Sequence, residues 1–451
     1  MKIKRITIYS VAVIILMSVV SCREYVEIDT YGTRTLKKTN DYQYLVNNKG
    51  NFETTSILPI LSSDDLDGKP SVSAVNQWNQ QYLNAFLWSE SFFGDDQQDI
   101  GWVNLYKHIY IANEILSGVM DSEDGSTSQK QVIAAEAKVH RAFAYFSLAN
   151  QYAAIYNPSS ASSQEGLPLL LTPDLFQNLN RVSLQRIYDQ ILDDLLTSLD
   201  ALPSSSTLNH HPSKIAVYLL LSRVNLTMRN FEEAGKYADM ALALNPQLLN
   251  LEDYVSEIYP QPLKDPEILL SKLTAGSITG PINPELIGIY DDKDLRLTYF
   301  LENNASLGGF KYMKPTKSGS FYAVVGLSTP EIYLNRAEVY ARNNDATKVV
   351  EMLNAVRQKR FKASDYIALT VSDVQTDLLQ SVINERRREF VGTDLRWYDM
   401  RRFTLDGSYF KTVVREYNGQ TVSLEATSPR LVFPIEQKVL DFNPEIGQNP
   451  R

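Results

Sequence analysis

Cysteine is almost absent from this chain: Cys22 stands alone among 451 residues. No intrachain disulfide can form, so stability has to come from packing. Histidine is nearly as scarce, with four scattered residues. No H-E-x-x-H pair, G-x-S-x-G elbow or P-loop marks metalloprotease, hydrolase or nucleotide chemistry. Excess positive charge is missing too. The formal net charge is −9, and an acidic surface repels nucleic acid and anionic headgroups. A membrane-spanning run is lacking near the N-terminus: the apolar stretch 6–20 falls short of the roughly 20 residues a bilayer requires and is broken by Thr7, Tyr9 and Ser10. Tryptophan is rare, four against 26 Tyr and 17 Phe. So many tyrosine hydroxyls cannot all be buried cheaply, which places part of the set on the surface or in a cleft, where a rigid ring with a polar tip serves recognition.

What the N-terminus does hold is ordered. Lys2, Lys4 and Arg5 precede the apolar stretch, and Ser21 precedes Cys22. That is a positive n-region, an h-region and a small-residue cleavage site. The run Val19-Val20-Ser21-Cys22 resembles a bacterial lipobox, with Val where Leu is commoner. It predicts removal of residues 1–21 as a lipoprotein signal peptide and a lipid (palmitate or a similar acyl chain) on Cys22, anchoring the chain to a membrane. The alternative is an ordinary secretory peptide with a chance cysteine. The remaining 430 residues carry a net charge of −12, because the leader holds three cations and no acid.

Helical periodicity dominates the rest. Trp102, Leu105, Tyr106, Ile109, Ala112, Leu116 and Val119 share one helix face. Val132, Ala135, Val139, Ala142, Phe143, Phe146 and Ala149 form a second stripe, and Leu184, Ile187, Ile191, Leu195 and Leu199 a third. Polar Ser/Pro/Gly-rich breaks separate them. Tyr218, Leu221, Ser222, Ala234, Ala238, Ala241 and Pro246 match a tetratricopeptide helix pair, with Asn230 expected to cap its second helix. Tyr145, Leu148, Ala149 and Tyr152 fit the first half of another unit, completed by the 184–199 helix; Tyr333, Ala337, Tyr340, Val349, Leu353 and Val356 fit a third. Stretches 30–100 and 247–330 are irregular and rich in Pro, Gly, Asn and aromatics. Long irregular segments in a compact protein are usually functional, so they are the expected binding face. Asn418-Gly419 predicts a hairpin between 410–414 and 421–424.

Near the C-terminus stands Ile383-Asn384-Glu385-Arg386-Arg387-Arg388-Glu389-Phe390, then Gly392, Arg396-Trp397-Tyr398-Asp399 and Arg401-Arg402. The spacing of Glu385 and Glu389 among arginines predicts a helix supported by i,i+4 ion pairs. This segment resembles the hallmark of the SusD/RagB family of outer-membrane nutrient-binding lipoproteins. Glu136 to Ala142, Trp102 to Tyr106 with Ile109 and Asn113, and the ending Leu431 to Ile435 with Asn443-Pro444 and Gln448-Asn449-Pro450 resemble the family in the same order. Glu24, Glu27 and Asp29 resemble its surface-export tag.

The resemblance implies a mostly α fold of four tetratricopeptide-like units. These pack against an irregular, loop-rich ligand-binding subdomain with little β structure. A single SusD-like domain is then expected over 22–451, with scaffold at about 101–246 and 330–403, binding subdomain at about 30–100 and 247–330, and a C-terminal segment 404–451. The implied job is non-catalytic nutrient uptake within polysaccharide utilization. A surface-exposed, lipid-anchored protein binds glycan outside the outer membrane and passes it to a SusC-like TonB-dependent transporter. Two alternatives stay open: capture of peptide or another solute on the same scaffold, and a surface glycosidase.

Sugar recognition needs aromatic faces for C–H surfaces and polar side chains for hydroxyls. The candidates by region are Asp64, Asp65, Trp78 and Trp88 from the first irregular stretch, and Tyr290, Phe310, Tyr312 and Tyr322 from the second. Packing is the competing role for each aromatic, and it is the expected role of Trp102 and Trp397. No cofactor is expected. Ser63 to Gly68 carries part of a calcium-loop pattern, but EF-hand spacing wants Glu where Ala74 stands, and turn capping by Asp is the alternative. A glycosidase needs two carboxylates spaced across the scissile bond; Asp95-Asp96 and Asp291-Asp292 are adjacent loop acids expected to be merely solvated. Glu136 and His140 share a helix turn, where a structural contact is expected rather than a metal. His210-His211 precedes Pro212 and is expected in solvent.

Overall fold

The protein is described by a computed structural model covering residues 36–254, 259–277, 280–317 and 319–451. The leader, Cys22 and the acidic tag at 24–29 lie outside the described residues. Half of the described residues are helix and a tenth strand, the mostly α architecture that the resemblance implies. The longer helices are α1 (Thr39–Asn47), α2 (Gln80–Phe86), α3 (Ile100–Gly118), α4 (Thr127–Tyr152), α5 (Leu184–Ser198), α6 (Lys214–Thr227), α7 (Phe231–Leu242), α8 (Thr329–Arg342), α9 (Ala346–Arg357), α10 (Leu378–Glu389) and α11 (Leu395–Phe403).

Their starts are written locally. Asp99, Ser126, Ser183, Asp345 and Asp377 each accept a backbone N–H from the first turn of α3, α4, α5, α9 and α10. Asn230 stands at the N-cap of α7, but its side chain makes no capping bond there; the turn is closed instead by its backbone N–H on the Asn225 carbonyl. The predicted hairpins form: α4 packs on α5 across the 153–183 insertion, α6 on α7, and α8 on α9, while α3 also lies against α4. Neighbouring hairpins stack through α7 on α8 and α8 on α10, burying faces that one repeat could not cover. From Ala135 to Tyr152 only Lys138 of α4 escapes full burial. The stripe read from sequence is therefore one side of a central helix enclosed all round.

Strands are few. The described residues hold five two-stranded pairs. The strands are β1 (Thr54–Thr55), β2 (Glu165–Pro168), β3 (Arg181–Ser183), β4 (Ile268–Leu270), β5 (Leu273–Thr274), β6 (Leu301–Asn304), β7 (Gly309–Tyr312), β8 (Leu327–Ser328), β9 (Val413–Tyr417) and β10 (Gln420–Leu424). Parallel pairing of β1 with β5 and a bridge from Leu66 to Ile282 join the two irregular stretches, 219 residues apart at Thr54 and Leu273. The predicted β9–β10 hairpin turns at Asn418 and Gly419, with φ of 49° and 79°, the left-handed pair that a two-residue turn requires.

The charged helix α10 is held differently from the sequence expectation. Glu385 pairs with Arg388 on its own helix, but also with Arg296 at 2.8 Å and Arg357 at 3.0 Å. Glu389 pairs with Arg360 at 2.8 Å and Arg296 at 3.0 Å. The glutamates are tertiary anchors more than i,i+4 partners, because their side chains face the core.

Candidate functional site

Two surface clefts each take one of the predicted residues into their lining, Asp64 in the first and Tyr312 in the second. The first, about 640 Å³, opens where the loop after Ser62 passes α10 and the approach to β9. Asp64 is gripped by Arg396 through Nε at 2.6 Å and Nη2 at 2.7 Å. Asp65 receives Arg387 Nε at 3.2 Å. Burial opposes ionisation of Asp64, but Arg387 and Arg396 together hold its carboxyl well below the usual range. Burial drives the Asp65 carboxyl the other way, to about 6. Asn283 fastens the same loop, donating Nδ2–H to the Asp64 carbonyl and its backbone N–H to the Asp65 carbonyl. Both acids are thus struts between distant segments rather than free ligand groups. Arg396 takes both Asp64 oxygens, and Arg387 one oxygen of Asp65.

The second cleft, about 360 Å³, lies between the 73–77 segment, the β6–β7 hairpin and the 319–323 turn. It falls within the 300–1,000 Å³ usual for small-molecule sites. The Phe321 ring stands on its wall, 85% exposed. Ser320 sets that pose: its hydroxyl accepts the Tyr322 N–H and donates to the Tyr322 carbonyl, both at 3.1 Å. Asn76, Gln77, Asn304 and Lys311 supply the polar lining. Asn304 accepts the Leu307 N–H at 3.2 Å. The turn completed by Gly308, at φ 75°, leads into β7. Tyr312 closes the base and is 7% exposed. Burial pushes its phenol well above the ordinary value, so it stays neutral.

The remaining candidates are distributed around these clefts. Tyr322 is exposed beside the Phe321 turn. Phe310 is half-buried on β7, and its carbonyl accepts the Ile282 N–H. Trp78 is half-buried, edge-on to Phe86 at 5.4 Å. Gly280 passes so close to its indole that a Cβ there would sit 2.5 Å away. Tyr290 is buried, its hydroxyl donating to the Arg388 carbonyl at 2.6 Å. Trp88 is a correction: it is fully buried, its indole N–H donates to the Ser62 carbonyl at 3.0 Å, and Arg415 lies 4.1 Å over its ring. It belongs to the core because Arg415 and the 58–62 turn enclose it, contacts that an irregular stretch does not announce.

The polar clusters also resolve. His211 donates its Nδ1–H to Glu136 Oε2 at 2.7 Å and is not free in solvent. His140 faces the buried Lys272 at 3.0 Å. Trp102 and Trp397 pack in the core as expected. Among the described residues no group of three or more His, Cys, Asp or Glu is arranged to hold a metal. Phe321, Asn76, Gln77, Asn304 and Lys311 escape sequence reasoning; Gly319-Ser320, a turn signal just before two aromatics, is the one mark that points to Phe321.

Residues 40–226 match a SusD-like family model described as starch-binding associating with outer membrane, and residues 316–451 match the SusD family model. A SusD-like protein P2 from Formosa agariphila is 23% identical over 389 residues, covering 70% of this chain and 74% of that one. The crystal structure of a SusD superfamily protein from Bacteroides thetaiotaomicron superposes with a TM-score of 0.74 at 21% identity, covering 92% of this chain and 100% of the other. A protein from Bacteroides vulgatus described as a putative sugar binding protein gives 0.72 at 21% identity over 93% and 99%. The chain belongs to the SusD/RagB family of outer-membrane-associated, carbohydrate-binding proteins, which are non-catalytic.

Proposed function

We propose that this protein captures a saccharide outside the cell in the cleft between Gln77, Asn304 and Phe321. It then passes the saccharide to a SusC-like TonB-dependent transporter, with the lipid on Cys22 tethering it to the outer membrane. One observation carries the reading: an exposed phenyl ring and several amides converge on one concave site of suitable volume. The ring offers an apolar platform at little entropic cost, and the amides orient hydroxyls. The tether rests on the sequence before Cys22. The transporter rests on family membership. The glycosidase alternative gains no support from Asp64 and Asp65, since each is paired with an arginine as a strut between segments.

Isothermal titration of the full chain against an oligosaccharide panel tests the site. Phe321→Ala should weaken binding by about tenfold, equal to roughly 1.4 kcal/mol, and leave the thermal midpoint within a degree. Unchanged affinity sinks the placement of the site. Binding of peptides in place of sugars sinks the ligand class. Co-purification with a SusC-like transporter from the native membrane tests the partner, and its failure sinks that assignment.

A further inference from the structure

We infer that the Phe321 cleft is built for an anionic saccharide, one carrying carboxylate or sulfate groups, and that Lys311 reads the charge. The inference rests on the cleft assigned above and goes further by naming the ligand's charge. The chain holds 53 acidic residues, yet no Asp or Glu lines this cleft among the described residues. Carboxylates are the strongest acceptors a protein can offer to sugar hydroxyls, and their absence takes that mode of neutral-sugar recognition away. The lining groups lean the other way. Lys311 brings three donors and no acceptor. Asn304 has its side-chain oxygen engaged by the Leu307 N–H, which leaves its N–H₂ to be offered.

Lys311 is also available. It stands opposite Glu302 in the β6–β7 register, and their ammonium and carboxylate are 3.3 Å apart with 27% and 45% of the side chains exposed. An exposed pair of this kind is worth little, and Glu302 does not line the cleft. A ligand anion competes on favourable terms, because it meets the ammonium in a partly desolvated wall rather than in open solvent. Neutral Tyr312 at the base adds no opposing charge. On a chain whose net charge is −9, a concavity with no acid in its own lining and an ammonium at its wall can accept an anionic sugar.

The test is titration of the full chain in detergent with three probes of matched length: a neutral β-glucan oligosaccharide, an alginate oligosaccharide carrying carboxylates, and a carrageenan oligosaccharide carrying sulfates. One anionic probe should bind at least about tenfold tighter than the glucan, with affinity falling as salt rises. Lys311→Met should erase that preference, and Lys311→Arg should keep most of it. Which anionic probe binds distinguishes uronate from sulfate. Tightest binding to the glucan, unaltered by Lys311→Met but lost in Phe321→Ala, overturns the charge assignment and spares the cleft. Binding untouched by Phe321→Ala overturns both, as does the absence of binding to any probe.

Discussion

Arg415 has its whole guanidinium inside the protein, fully buried between the faces of Phe86 and Trp88, each 4.1 Å away. It donates to the carbonyls of Leu61, Phe86 and Ser63. Burial pulls it down to about 9 from the usual arginine range. Trp88 is the lid of this arrangement, so truncating it opens a cavity and strips a cation of its ring. Trp88→Ala should cost about 3–5 kcal/mol, read as a fall in the urea midpoint, with binding intact in whatever remains folded. Phe321 differs only in what surrounds it. Both are aromatic residues in irregular sequence; the Gly319-Ser320 turn signal marks a turn before Phe321, but no flanking residue tells that Trp88 is enclosed.

Buried ion pairs join the elements in addition to their apolar faces. Arg141 of α4 meets Asp194 of α5 at 2.6 Å, Arg223 of α6 meets Glu331 of α8 at 2.6 Å, and Arg386 of α10 meets Asp399 of α11 at 2.8 Å. Glu385 is the most heavily loaded, serving Arg296, Arg357 and Arg388. Removing a shared acid leaves buried cations unpaired, so Glu385→Ala should cost about 3–5 kcal/mol, measured by chemical unfolding. Burial works against the Glu385 carboxylate, but the charges of Arg296, Arg388 and Arg357 hold it well below the usual range. Its contribution is therefore present above the unfolded value near 4.5 and lost as pH falls below it. The β9–β10 turn is local by contrast. Gly419 sits at φ 79° with nothing within 4 Å of a Cβ added to it, so Gly419→Ala should cost only the backbone strain of about 1–2 kcal/mol. A larger loss in the unfolding midpoint would contradict that account.

Across the molecule, all four histidines come to one junction, where the strand pair β1–β5 meets α3 and α4. Lys272 is completely buried there and donates to the Phe52 carbonyl and to His140 Nδ1. His140 stacks on Phe52, and His108 lies 6.0 Å from the same ring. The His210 and His211 rings are 4.1 Å apart, and His211 holds Glu136. Glu53 faces Ser271 and Lys49. Burial lowers Lys272 to about 7 and takes His140 and His108 well below 6.5. Between about pH 7 and 10.5 the unfolded chain binds the lysine proton that the folded chain releases, so stability should rise through that window. Below 6.5 the unfolded histidines charge first, so stability should fall with acid. Unfolding midpoints of the native chain and of Lys272→Met across pH 5–10 check this: the rise above pH 7 should vanish in the variant.

The helical hairpins, their caps and the Asn418-Gly419 turn were legible because each is a local pattern: an apolar repeat, an oxygen one turn before a helix, two residues that tolerate positive φ. The hallmark around Glu385 to Asp399 likewise revealed the family. The proposed cleft is legible only in part: Tyr312 lies in its lining, but the residues across from it on the 73–77 segment come from more than 200 positions away. Asp64 reads in sequence as a ligand group, but Arg396, 332 residues on, occupies its carboxylate. Short-range periodicity determines which segments become helices. Which carboxylates are already neutralised, and which rings remain in solvent, depends on partners brought together by tertiary packing, and only the folded chain decides it.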